Sequence, residues 1–369
     1  MSLMIAGIGT AVPEHHIEQP DAAQLTSSFC CTNGGERGLL AELYEHSGVA
    51  KRHSVVLERS DGPIEARQQF FHALASPDDR GPSTQDRMSR YEASAGPLAL
   101  RAARAALDDA RMQAENVTHV VTVSCTGFAA PGFDFELIRG LGLSPGVART
   151  HVGFMGCHGA LNALRVARAF VDADPGASVL VASVELCTLH HYYGWQLDKV
   201  IANSLFADGS AALVGVASTA NRRAGWNVVA NGSLFMRDSE PAMSWRVGDH
   251  GFEMTLSRKV PELIRQNLGP WLKWWLRANG LSMGEIGSWA IHPGGPRILD
   301  ACRAAAGLSD EHVAESRRVL AEFGNMSSAT VLFIIERLRR ARAALPCVVL
   351  GFGPGMAVEA AIIARDVSL

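Results

Sequence analysis

From His151 to Val184 the chain passes through three elements with almost no linking residues. His151-Val152-Gly153-Phe154-Met155 leads into Gly156-Cys157. Leu161, Leu164, Ala167 and Val171 then recur at helical spacing. Ser178-Val179-Leu180-Val181-Ala182-Ser183-Val184 follows as an unbroken apolar strand. A strand that is apolar on both sides needs cover on both faces, and helices laid over a buried sheet provide it. The same order is found upstream. Ser83 or Thr84 caps a long helix running through Met88, Tyr91, Leu98 and Leu107, with Pro97 expected to kink it. Val117 to Ser124 is a strand, Phe135 to Ile138 opens a helix, and Arg149 to Phe154 is the strand before Cys157. The fold class is therefore α/β in layers.

The second half repeats the order. Trp226 to Leu234 reads as a strand, and Val260 to Leu276 as an amphipathic helix in which Trp271, Trp274 and Trp275 serve packing or an interface. Ile286 to Ile291 is a strand entering a Gly-rich turn, Ile298 to Ala306 is helical, and Val331 to Ala344 is a strong helix. Cys347 to Gly353 and Met356 to Ala364 form a closing hairpin. Thr219 to Arg223 breaks the apolar pattern and marks the midpoint, giving expected halves 1–220 and 221–369. Residues 58–83 read as loops around one short helix.

With 369 residues and 47% hydrophobic content, two domains or one large duplicated one can bury a core. A net charge of −3 gives no reason to expect nucleic acid or an anionic membrane as partner. No apolar run reaches the ~18 residues of a membrane span, and the first residues read as a strand rather than a signal peptide. Seven cysteines, at 30, 31, 125, 157, 187, 302 and 347, form no CxxC pair. That pattern fits a reduced, cytoplasmic protein better than a disulfide framework or a zinc site, so no metal is expected.

Three strand-to-helix corners carry reactive side chains. Cys157 sits between a Gly turn and a helix, where free N–H groups and the helix dipole favour thiolate and lower a cysteine pKa from about 8.5. His292 ends an apolar strand before Pro293-Gly294-Gly295, which would hold its ring rigidly. Asn325 stands ahead of a helix, and its amide could donate to an oxyanion. Each has a plain structural alternative: a buried core cysteine, a turn histidine, an N-cap. Their combination points to a nucleophile with a partnering imidazole and an oxyanion donor.

Trp289-Ala290-Ile291-His292-Pro293-Gly294-Gly295-Pro296-Arg297-Ile298-Leu299-Asp300, Gly324-Asn325-Met326-Ser327-Ser328-Ala329 and Gly351-Phe352-Gly353-Pro354-Gly355 resemble the signatures of type III polyketide synthases, the chalcone synthase superfamily. The spacing from Cys157 to Glu185 and Phe206 fits as well, and the resemblance extends from about Gly48 onward. It implies a thiolase-like duplicated five-layer αβαβα fold working as a homodimer. It implies Cys157 as acyl-accepting nucleophile, with His292 and Asn325 holding the thioester carbonyl and stabilising the enolate. Phe206 matches an aromatic gatekeeper, Ser327 a cavity-lining serine and Glu185 a buried glutamate near the cavity. The implied activity is an acyltransferase reaction: an acyl-CoA starter is loaded and extended by decarboxylative condensation with malonyl-CoA, then cyclised to a pyrone or a phenolic product. No cofactor beyond CoA thioesters is implied.

The chain departs from plant members at its pocket positions. It has Cys125, Cys187 and His190 where they commonly have threonines, and Ala202 where they have glycine. Cys125-Thr126-Gly127-Phe128 and Glu185-Leu186-Cys187 look bacterial. His190 either guides cyclisation or simply packs, and packing is favoured. His158, beside the nucleophile, diverges from it at the helix start and is not expected to be the base. The second gatekeeper aligns to Met254 or Phe252. Gly294 and Gly295 are expected at the substrate. The basic residues that bind CoA phosphates in plant members are not evident before Lys51, which leaves Lys51 or Arg52 for that task and leaves a carrier-protein-bound starter open. Two rival readings share the three reactive residues: a ketoacyl-carrier-protein synthase III performing one condensation, and a catalytically silent acyl-binding paralogue. The Pro-Gly-Gly-Pro after His292 and the Met-Ser-Ser after Asn325 argue against the first.

Overall fold

A computed structural model describes residues 2–218 and 225–365. In chain order the elements are β1 (Leu3–Ala11), β2 (His16–Glu18), α1 (Gln19–Cys30), α2 (Gly34–Glu45), β3 (Lys51–His53), α3 (Thr84–Ala110), β4 (His119–Ser124), α4 (Phe133–Leu141), β5 (Ala148–Gly153), α5 (Gly159–Ala173), β6 (Ser178–Leu186), α6 (Leu197–Leu205) and β7 (Asp208–Ala217). They continue with β8 (Trp226–Phe235), β9 (Met243–Gly248), β10 (Gly251–Leu256), α7 (Val260–Ala278), β11 (Ser288–Ile291), α8 (Pro296–Ala306), α9 (Asp310–Phe323), α10 (Ser327–Arg340), β12 (Cys347–Gly353) and β13 (Ala357–Ala364). The expected midpoint, Thr219 to Arg223, lies outside the described residues.

Nine strands hydrogen-bond in the order β11-β12-β13-β8-β1-β7-β6-β4-β5. The two ends of this order mirror each other. β4 is parallel to β6, β6 antiparallel to β7, and β7 antiparallel to β1. Likewise β11 is parallel to β12, β12 antiparallel to β13, and β13 antiparallel to β8. The two series meet where only Leu3, Met4 and Ile5 of β1 pair with β8.

Side-chain alternation sorts the core into layers. α3 lies across β1, β7 and β6 on one outer face, filling it with Leu98, Ala99, Ala102 and Ala106. α5 and α10 occupy the middle, touching strands of both series. α7 and α8 cover the other outer face through Ile264, Leu268, Leu272 and Leu299. The result is helix, sheet, helix, sheet, helix. α10 is buried at every residue from Ser327 to Glu336, as a helix held between two sheets must be. Trp271 and Trp275 of α7 stack with ring centroids 5.3 Å apart, and Trp274 points to solvent.

Four expectations are corrected. α10 begins at Ser327 rather than Val331 and ends at Arg340, because the polar Ser327, Ser328 and Thr330 are buried inside it. α9 was unforeseen, although Ser309 caps it by accepting from its first turn. The β9–β10 hairpin was also unforeseen. β5 is not a buried apolar strand: it is the sheet's edge and half to fully exposed. The 58–83 region is loop around one short turn, Ile64–Ala66, as read.

β1 and α3 approach so closely that a Cβ on Gly9 would lie 2.3 Å from the Ala102 carbonyl oxygen and 2.4 Å from the Ala106 nitrogen. Backbone cannot yield there. Gly9→Ala is expected to lower stability by about 1–3 kcal/mol. A lowered urea midpoint with an unchanged m value would show it; an unshifted midpoint would refute this packing.

Candidate active site

The three reactive residues come from segments far apart in sequence and meet at one chamber. Cys157 lies in a single tight turn, Gly156–His158, one step ahead of α5. His292 follows β11, with its N–H bonded to the Leu350 carbonyl of the neighbouring strand at 2.8 Å. Asn325 lies two residues ahead of α10, with Met326 between them. Cys157, His292 and Asn325 line the same cavity, together with Phe206, Met243, Met254, Leu256 and Phe352. The helix starts are in contact: a Cβ on Gly159 would lie 3.5 Å from Ser328 Cβ.

The orientation of the Asn325 side chain is decided by chemistry. The Ser327 N–H donates to its side-chain oxygen at 2.9 Å, so the NH₂ end is left for another acceptor. Ser327 holds this turn with φ of 45°, a conformation a serine adopts only when its surroundings impose it. Asn325 is also tied through its backbone, donating to the Leu205 carbonyl and accepting from the Ala207 N–H. Phe206, between those two residues, is thereby fixed against it.

Both ring nitrogens of His292 are buried and have no hydrogen-bond partner in the protein. Burial pushes its pKa down to about 3, with nearby His158 adding to the effect. The ring is neutral at physiological pH, offering one donor and one acceptor. At Cys157 burial works against the thiolate expected from its place at a helix start. Burial pushes its thiol up to about 12, opposed by the Ser327 hydroxyl and reinforced by the Glu185 carboxyl. Desolvation outweighs the dipole of α5 here. Burial thus pushes both groups toward their neutral forms, and no hydrogen bond joins them.

A second chamber adjoins the first across Cys157, Phe206, Met243 and Met254, and adds Cys125, Thr126, Cys187, Trp245 and Ser327 to its walls. Glu185 does not reach the cavities. It lies beneath this wall and accepts from the Cys125 N–H at 3.0 Å, the Thr126 hydroxyl at 2.8 Å and the Ser328 hydroxyl. The Thr126 hydroxyl is fully used, since it also accepts from the Leu186 N–H. His190 lines a third chamber with Ala202 and Phe252. Its Nδ1 accepts from the Phe252 N–H at 2.9 Å and its Nε2 donates to the Thr126 carbonyl at 2.7 Å, while its face stacks on Phe252 at 4.2 Å. Both nitrogens are committed, so the ring packs. Phe252 is spent on that stack, and Met254 is the residue that faces all three chambers with Phe206. His158 turns away, with Nδ1 2.8 Å from Asn162 Oδ1.

A wider cavity of about 220 Å³ opens from the first chamber past Leu205, Leu256, Gly294 and Ile298. Gly294, Gly295, His46, Asp198, Arg258 and Arg297 line it. Lys51 and Arg52 do not. Arg52 is buried, and its guanidinium donates to the carbonyls of Asn203, Ser204 and Phe206 and to Gln19 Oε1. It caps the C-terminal end of α6, where cations are favoured, and has no free donor for a phosphate except a buried Nε. Among the described residues no group of three histidine, cysteine or acidic side chains gathers as a metal site.

Sequence reasoning missed Met243, Trp245 and Leu256. Alternation along β9 and β10 puts Met243, Trp245, Met254 and Leu256 on one face, with Trp245 opposite Met254 and Met243 opposite Leu256. Trp245 Nε1 donates to the Cys125 carbonyl at 2.6 Å, closing the chamber roof. Period-two alternation around Gly248 and Gly251 was the available signal.

Residues 2–218 match the family model for chalcone and stilbene synthases, N-terminal domain, and residues 227–368 match the model for the C-terminal domain. The chain is 34% identical over 364 residues to "Alpha-pyrone synthesis polyketide synthase-like Pks18" of Mycobacterium tuberculosis, covering 96% of this chain and 89% of that protein. It is also 34% identical to the 1,3,6,8-tetrahydroxynaphthalene synthase of Streptomyces peucetius subsp. caesius, covering 96% and 91%. The crystal structure of PKS-I from the brown alga Ectocarpus siliculosus superposes with a TM-score of 0.89 at 30% identity, covering 99% of both chains. No helix among the described residues is long and apolar enough to cross a membrane.

His190 and His292 link acidity to stability. Both have folded pKa values near 3, below the unfolded value of about 6.5. The unfolded chain binds the extra protons between those values, so each histidine costs stability as pH falls below 6.5. Asp208, raised to about 6 by burial, works in the opposite direction. Wild type and His190→Gln compared by urea denaturation at pH 7.5 and 5.5 separate the terms. The variant is expected to lose about 1.4 kcal/mol less than wild type over that interval. Equal losses would mean that His190 is not held neutral.

Proposed function

The chain belongs to the chalcone and stilbene synthase family, the type III polyketide synthases, which are decarboxylative condensing acyltransferases, and from that premise we propose how its own residues divide the reaction. Cys157 attacks the carbonyl of an acyl-CoA starter, its C–S bond forms as the bond to CoA breaks, and the departing thiolate takes up the proton. His292 receives the cysteine proton as attack begins. Thiolate and imidazolium arise together, so that their attraction offsets the burial cost that keeps each neutral at rest.

Malonyl-CoA then places its thioester oxygen between an N–H of neutral His292 and the NH₂ of Asn325. Loss of CO₂ leaves an enolate whose negative charge falls on that oxygen, and two fixed donors in a dry site stabilise it by several kcal/mol. The enolate carbon attacks the acyl carbon on Cys157. A C–C bond forms, the C–S bond breaks, and a chain longer by two carbons leaves on CoA. Repetition and an internal attack give a pyrone or a phenolic ring. The observation that carries this reading is the single chamber lined by Cys157, His292 and Asn325, in which the imidazole lacks any protein partner.

Arg258 and Arg297, with His46, sit at the cavity mouth and are the cations we propose for the CoA phosphates, since Arg52 is spent on α6. The seven cysteines are unpaired and buried, which supports a reducing, cytoplasmic setting. The exposed edge of β5, continuous with Phe128, Phe154 and Met155, supports pairing of two copies through that side.

Purified protein given malonyl-CoA and a panel of acyl-CoAs is expected to yield extended products. Cys157→Ala should abolish condensation while CO₂ release from malonyl-CoA continues. Asn325→Ala should lower CO₂ release by about 10²–10³-fold. Equal effects of both variants on CO₂ release would overturn the division of roles. Replacing Arg258 and Arg297 together by alanine should raise KM for CoA thioesters roughly tenfold and leave kcat and the use of N-acetylcysteamine thioesters unchanged; an unchanged KM for CoA thioesters would remove those arginines from the mouth.

A further inference from the structure

The third chamber contains a charge that the proposed chemistry does not use. It shares Phe206 and Met254 with the chamber of Cys157, His292 and Asn325, and Cys187 and Trp245 with the second. On its far wall stands Lys199 of α6, only 7% exposed. Lysine is rarely so buried, because its flexible stem normally carries the ammonium out to water. Lys199 Nζ makes one ion pair, 3.2 Å from Glu253 Oε2, and lies 5.4 Å from the centre of the Tyr192 ring. Glu253 is more than half exposed and wets the pair from outside. An ammonium has three donors. Among the described residues Glu253 accepts one and the Tyr192 ring gives its face, and Lys199 lines the chamber with donor capacity to spare. His191, on the same chamber, adds a buried ring Nε2 with no partner. The walls between Cys157 and this end are otherwise short or apolar: Cys187, Ala202, Phe206, Met254.

We propose that Lys199 reads the far end of the acyl chain held on Cys157, selecting chains that present a carbonyl oxygen there over purely aliphatic ones. The inference rests on the loading of Cys157 proposed above. The Lys199–Glu253 pair is neutral overall, so it suits a neutral acceptor and not an anion that would compete with Glu253. A keto oxygen can take a second donor of Nζ with the ion pair intact. An alkyl end would leave that donor facing carbon, which costs binding. Lys199 touches the chain remote from the bonds that change, so its effect is on starter preference and not on the condensation step.

The test compares aliphatic acyl-CoA starters of six and eight carbons with oxoacyl-CoA starters of the same lengths, each with malonyl-CoA. Wild type is expected to favour the best oxoacyl starter in kcat/KM by about tenfold or more, the worth of one hydrogen bond from a charged donor. Lys199→Met should remove that preference and leave aliphatic starters within about threefold. Lys199→Gln, which keeps a donor, should retain part of it and also serves if the methionine variant does not fold. Glu253→Gln, which loosens the ion pair but keeps the ammonium, should preserve the preference. If Lys199→Met and Glu253→Gln reduce all starters equally, Lys199 is a tether between α6 and β10 and the proposal fails. Normal condensation with no wild-type preference also overturns it, and leaves the Cys157 reading intact. Absence of condensation with every starter overturns the Cys157 reading instead.

Discussion

Everything at this site depends on burying two helices between two sheets. α10 is buried from Ser327 to Glu336, and α5 buries one face through Leu161, Leu164, Ala167 and Val171, so their orientation is set by packing against strands of both series. They begin side by side, Gly159 of one facing the Ser328 Cβ of the other. The residues just before each helix, Cys157 and Asn325, are therefore brought to the same spot although 168 positions, 325 less 157, separate them in sequence. Two helix starts also direct unpaired N–H groups toward that spot. β11 runs parallel to β12 and ends at the same edge, and His292 is what the strand delivers there. The geometry of the proposed site is a consequence of where the core elements must begin and end.

Burial also decides the charge state. A cysteine at a helix start and a histidine near it invite the assumption of a resting ion pair. The chamber is too dry for that: both groups are driven toward their neutral forms, and no hydrogen bond joins them. A neutral imidazole is the better partner for the second half of the reaction. It can donate to a developing enolate without first attracting the malonyl carboxylate, whose departure requires that it not be stabilised as an ion. The carboxyl of Glu185 would disturb this balance if it faced the chamber. It is kept behind the wall and held by Cys125, Thr126 and Ser328.

The α/β layering was legible from period and turn residues, which are local signals. His292 does follow a buried apolar strand into a turn, but Cys157 follows the half-exposed edge strand β5 and Asn325 joins α9 to α10, so the strand-to-helix corner expected for all three holds for His292 alone and the glycines beside the other two carried their signal. The family signatures around His292 and Asn325 extended that reading to the five layers. Arg52 was misread because sequence shows a charge and not its surroundings. Beside Lys51 and His53 it looks like a solvated cluster, yet three carbonyls at the end of α6 draw it inside. The hairpin that roofs the chambers was missed for a related reason. Met243, Trp245, Met254 and Leu256 alternate with polar residues over two short runs, a weak local signal that only the pairing of β9 with β10 turns into one apolar face. Lys199 gave no signal at all, since nothing local distinguishes a lysine that turns inward.

Arg52 also sets the rigidity of the wall on which the proposed discrimination between chains depends. By bonding Asn203, Ser204 and Phe206 it fixes the end of α6, and backbone bonds from Leu205 and Ala207 fix Asn325 to the same segment. Phe206 therefore cannot swing as part of a moving loop. Its backbone is held by the same bonds that position Asn325, the proposed oxyanion donor, and any opening between chambers is left to side-chain rotation of Phe206 and Met254. Rigid walls with two adjustable side chains make chain length and polarity count, because misfit is not relieved by moving the backbone. The same rigidity ties recognition to catalysis. A substitution that loosens the end of α6 to admit a larger chain would also displace Asn325, so this scaffold is open to change at the side chains that line the chambers and closed to change at the bonds that hold α6.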